Sequence, residues 1–127
     1  MTFEIASMIE LASFAGAGLC IGLGAIGAAL GEGYTAGLAN EALSSTPEKS
    51  GDILKNMLVG QAVAESAAIF ALVIAILLIF LESPTESVLT ASALLGAGLC
   101  MGFGAIGSGI GSGYPGGEAC LGIARQP

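Results

Sequence analysis

A chain of 127 residues with 54% hydrophobic residues, 10% charged residues and a mean hydropathy of +0.89 has more apolar surface than a soluble domain of this size can hide. Its solvent is therefore lipid. Three basic residues against ten acidic ones, with no basic patch, exclude a nucleic-acid partner, and the absence of His together with the spacing of Cys20, Cys100 and Cys120 excludes a metal-ligand motif.

The first apolar span runs from about Met8 to Leu43, longer than the roughly 20 residues that cross a bilayer. The start of the chain, MTFEIASMIE, has no positive n-region and does not read as a cleaved signal. Inside the span, GLGAIG at Gly22–Gly27 fits G-x-G-x-x-G, but a dinucleotide site needs a strand before it and none is present. The glycines instead form rows four residues apart, Gly18 with Gly22 and Gly27 with Gly31. Such rows let helix backbones approach closely in lipid. Small residues on several faces suit a tight ring in which every copy has two neighbours.

A polar turn, Ser44–Asp52, leads to a second span from about Met57 to Leu81, and the short Glu82–Ser87 stretch leads to a third from about Val88 to Ile123. Short connections favour antiparallel neighbours. The expected fold is an all-α membrane protein: a transmembrane hairpin over residues 1–81, with helices at about 8–43 and 57–81, then a third helix over 88–127. That third helix duplicates the first. At an offset of 80, fourteen of the 22 residues from Gly16 to Gly37, among them Cys20, Gly24, Gly27, Gly31 and Tyr34, recur identically between Gly96 and Gly117, and Pro47 recurs as Pro127. Lys49, Lys55 and Arg125 share one side in a three-span chain, while Glu4, Glu10, Glu82 and Glu86 share the other. The positive-inside rule makes the first turn and the C-terminus cytoplasmic.

Two carboxylates break the apolar runs, Glu32 in the first and Glu65 in the second. An ionised carboxylate in hydrocarbon must be protonated, paired or cation-bound, so such residues mark ion pathways. Counted from the turn near Glu48, Glu32 and Glu65 come to the same depth, about 25 Å away by helical rise. Two acids facing one another in low dielectric hold a proton or share a cation. Ser66 and Gln61 add oxygen donors that suit a hard cation or a protonated acid equally. At the position of Glu32 the third span carries Ser112.

With its glycine helix ending in GEGYTAG, the turn PEKSGDI and the string GQAVAES around Glu65, the whole chain resembles the c-type proteolipid that forms the rotor ring of F-type ATP synthases. The resemblance implies a non-catalytic, lipid-embedded protein without cofactor, assembled with other c-ring subunits. Its partners would be the stator a subunit and the central stalk, in the plasma membrane of a bacterium. It implies Glu65 as the carrier of a transported H+ or Na+, Glu32 as its partner, Val63 offering its carbonyl and Ser66 its hydroxyl. The C-terminal ARQP resembles the family's loop signature, which implies stalk contacts at Arg125, Gln126 and Pro127; the first turn has Ser44, Ser45, Thr46 and Pro47 in its place. Sodium-coupled relatives often carry Thr at the place of Ala67 and Tyr at that of Phe70, yet the direct ligands remain, which tilts the balance slightly to Na+. Family members ordinarily have two helices, or four when duplicated, so three is a departure. A homo-oligomeric channel and a purely structural bundle stay open as alternatives, although exposed polar residues to line a pore are scarce.

Overall fold

The structure is a computed structural model that describes residues 2–82 and 87–126, with side chains from Glu4 onward. Glu86 and Pro127 lie outside the described residues. The chain forms α1 (Thr2–Ser45), a 3-10 turn (Pro47–Lys49), α2 (Ser50–Phe80) and α3 (Val88–Arg125). At 1.5 Å per residue, helices of 44, 31 and 38 residues are about 66, 47 and 57 Å long, all beyond the roughly 30 Å hydrocarbon core. All three are apolar enough to span a membrane.

The helices outrun the apolar spans. α1 begins at Thr2 rather than Met8, and α2 begins at Ser50 rather than Met57. Hydropathy marks where lipid lies, whereas a helix ends only where its backbone bonding is interrupted. Here the interruption is Pro47, which disfavours a helical Thr46 (φ −140°, ψ 69°) and then opens the 3-10 turn. The last carbonyls of α1 are covered by hydroxyls: Ser44 donates to Glu41 O at 2.8 Å, and Ser45 and Thr46 donate to Ala42 O at 2.9 and 3.0 Å. α3 is capped by Ser87, whose side chain accepts from the Thr90 N–H at 3.2 Å. Pro115 sits inside α3 without ending it.

The path is up-down-up, so α1 and α3 run parallel and α2 runs antiparallel between them. Short connections make α1 and α2 neighbours, yet the most extensive contact joins α1 to α3. Glycine is the reason. A Cβ built on Gly27 would stand 2.5 Å from Ala105 O, and one on Gly109 would stand 2.5 Å from Gly27 C, so only bare backbone permits this approach. Gly16 meets Gly98 and Gly31 meets Gly113 in the same way. α2 fits the groove with small residues, Ala64, Ala67, Ala71 and Ala75, all buried. Cys20 and Cys120 are buried as well, their thiols 3.2 Å from Ala71 O and 3.8 Å from Ile53 O, but Cys100 is exposed. Leu58, Ile69, Phe70 and Leu77 of α2 face outward, a surface suited to lipid.

At one end, Lys49 Nζ donates to Ile123 O at 3.1 Å and also to Gln126 O, a cation on the last carbonyls of α3. The first turn and the end of α3 therefore share one side of the bundle, as the three-span reading requires.

Candidate ion-binding site

Two contacts set the register of α1 against α2. A Cβ built on Gly31 would lie 3.2 Å from Ala64 Cβ, and one built on Gly60 would lie 3.1 Å from Thr35 Cγ2. Glu32 follows Gly31 and Glu65 follows Ala64. Moving one residue along each antiparallel helix shifts the two carboxylates apart by about 3 Å of rise, so they stay on one level. Each step also turns about 100°. For right-handed helices running in opposite directions both turns lead to the same flank of the seam. α3 touches α1 through Gly27 and Tyr34, round the other way, and so packs on the opposite flank.

The flank that carries the acids is open. Glu65 and Val63 are exposed, and Glu32 and Ser66 are half-buried. Among the described residues neither carboxylate has a hydrogen bond or ion pair, so the two acids share a level without a direct bond between them. Ser66 Oγ donates to Val63 O at 2.6 Å, which gathers a hydroxyl and a carbonyl oxygen beside Glu65. Among the described residues no three His, Cys, Asp or Glu side chains cluster. Ala67, in the place where a hydroxyl would enlarge the oxygen set, is buried in the core with Cys20 and Ala71.

The expected packing glycines divide. Gly27 and Gly31 lie against α3 backbone, but a Cβ on Gly18 or Gly22 would meet nothing within 4 Å. Within one chain the Gly18–Gly22 row is thus left open: a spacing of four puts residues on one face without saying which face is used. Arg125 and Gln126 are at the end of α3, beside Lys49, and both are exposed.

Sequence reading passed over the polar groups that hold α3 in place. Thr35 is fully buried, and its hydroxyl proton is shared between Gly113 O at 2.8 Å and Gly31 O at 3.0 Å. Asn56 Nδ2 donates to Gly116 O at 3.0 Å and to Cys120 Sγ at 3.1 Å. Tyr34 donates to Glu118 Oε1 at 2.8 Å and stacks on Tyr114, ring centroids 4.1 Å apart. One signal was available for Thr35: it is a hydroxyl in a glycine-rich helix that the copy replaces with Pro115.

Comparison with known proteins adds an independent observation. The family model for the ATP synthase C subunit matches residues 15–78 and again residues 95–127, once over the hairpin and once over α3. The chain is 47% identical over 74 residues to the ATP synthase c subunit of Natranaerobius thermophilus, covering 58% of this chain and 85% of that protein. It is 48% identical over 73 residues to the ATP synthase c subunit of Alkaliphilus oremlandii, covering 58% and 82%. To the ATP synthase c subunit 2 of Cereibacter sphaeroides it is 43% identical over 72 residues, covering 57% and 87%.

Proposed function

The chain belongs to the ATP synthase C-subunit family, a family of non-catalytic membrane proteins with a rotor-ring role, and from that premise we propose that Glu65 is its ion carrier. Glu65 takes one ion at a time on an open membrane flank, Glu32 shares the charge, and Ser66 and Val63 complete the oxygen set. The observation that carries this reading is the Gly31–Ala64 contact, which holds Glu32 and Glu65 on one level. Two carboxylates at one depth in low dielectric hold a single proton or one cation more readily than two negative charges. The oxygens of Glu32, Glu65, Ser66 and Val63 suit Na+ as well as a protonated acid, and the cargo in this proposal is Na+. The carriers stand in a ring with other copies of the family against a stator protein and a central stalk. Arg125, Gln126 and Pro127 are the proposed stalk contacts, on the cytoplasmic side of a bacterial plasma membrane.

Carbodiimide labelling of the purified oligomer tests the assignment. The expected result is modification at Glu65, slowed by Na+ at fixed pH. Protection by raised pH alone assigns H+ as the cargo, and failure of Glu65 to react removes it as the carrier.

A further inference from the structure

The α1–α3 contact joins two copies of one sequence through two different faces. α1 uses Gly16, Gly27 and Gly31, and α3 answers with Gly98, Gly109 and Gly113. Translated by the repeat, the face that α3 uses corresponds on α1 to Gly18, Ala29 and Gly33, and the face that α1 uses corresponds on α3 to Gly96, Gly107 and Gly111. A Cβ on any of these five glycines would meet nothing within 4 Å. Glycine lowers helix propensity, and packing within the chain does not require it at these places. Each duplicated helix thus keeps open the half of the interface that its twin has closed.

The open halves are complementary by construction, because the closed α1–α3 contact is their template. We propose that α3 of one chain packs its Gly96–Gly107–Gly111 face against the Gly18–Gly33 face of α1 in a second copy. Each chain then fills two adjacent inner positions of a ring. This deepens the ring reading and rests on it. Gly31 touches both Gly109 and Gly113, one two residues short of the repeat offset of 80 and the other two beyond it, and Tyr34 stacks on Tyr114 at that offset. Equivalent residues therefore lie at one depth, and repeating the contact rotates without advancing, which closes a ring rather than extending a filament. At 100° per residue the two faces, two residues apart throughout, are about 160° apart round the helix, so successive helices follow a curve. Junctions between chains lack what Thr35 supplies within a chain, since Pro115 stands at the equivalent place. The groove beside each such junction has no α2 from the same chain.

The test uses the full chain expressed in membranes and extracted in mild detergent, with oligomer mass as the readout. Gly33→Leu blocks the open face of α1, and Gly107→Leu blocks that of α3. Gly51→Leu, on α2 where nothing lies within 4 Å and away from both faces, is the control. The wild type and Gly51→Leu should give one closed ring mass, and each blocking variant alone should give single chains. Mixed, the two blocked chains should give dimers and nothing larger, since one good junction remains between them; that recovery also shows that both fold. Rings of wild-type mass in both blocking variants, or dimers from either variant alone, overturn the docking. If Glu65 of the wild type is labelled by carbodiimide while the variants keep their rings, only the docking falls. If the single-chain and dimer pattern appears without labelling at Glu65, only the carrier assignment falls.

Discussion

Thr35 on α1 gives its buried hydroxyl to the Gly113 carbonyl of α3 at 2.8 Å, one helical turn from Glu32 on the way to the polar turn. The bond ties the duplicated helix to the helix it copies, at the place where the copy itself has Pro115. A polar group satisfied across two helices in lipid contributes on the order of 0.6 kcal/mol, up to about 2. Thr35→Val keeps the shape and removes the bond. Unfolding of the chain in mixed micelles should show a loss of about 1 kcal/mol, with carbodiimide labelling of Glu65 unchanged.

Gly31 and Gly18 make a matched pair of substitutions. A Cβ at Gly31 would run into Gly109 O and come 3.2 Å from Ala64 Cβ, whereas one at Gly18 would meet nothing within 4 Å. In detergent at concentrations where the chain is single, Gly31→Ala should cost about 1–3 kcal/mol by overpacking. Gly18→Ala should raise stability by up to about 1 kcal/mol through helix propensity. Equal effects at the two positions would refute the α1–α3 packing.

Glu65→Gln removes the charge and keeps the size. Ion transport in reconstituted vesicles should vanish, and carbodiimide should no longer modify the chain, while the oligomer keeps its mass. Glu32→Gln keeps one carbonyl oxygen at the same level and should retain transport, whereas Glu32→Ala removes that oxygen and should raise the Na+ concentration for half-protection by about tenfold or more, roughly 1.4 kcal/mol. Equal half-protection in the two Glu32 variants would take Glu32 out of the site.

The pH dependence separates the two cargoes. Carbodiimide attacks the protonated carboxyl, and Na+ must displace that proton. Lowering the pH should therefore demand more Na+ for half-protection, by up to about tenfold for each unit, since one proton is displaced per ion. Labelling rates indifferent to Na+ at every pH would assign protons.

From the chain alone came the three spans, the repeat and the common depth of Glu32 and Glu65, because each of these is an axial quantity. Helical rise and one tight turn set how far a residue lies along the bundle, and neither depends on which face a helix turns to its neighbour. What tertiary structure alone decided is azimuthal. Glycines four apart mark a face on which backbones can meet, but α1 has two such faces, and only packing chose Gly27 and Gly31 over Gly18 and Gly22. The same choice set α3 against α1 on the flank away from Glu65, buried Thr35, bonded Asn56 to the Gly116 carbonyl and the Cys120 sulfur, and left the acids at an open edge. In a helix with small residues on several sides, hydropathy is nearly uniform around the circumference. Direction is then decided by how closely two backbones fit, a property of the helices together that neither possesses alone.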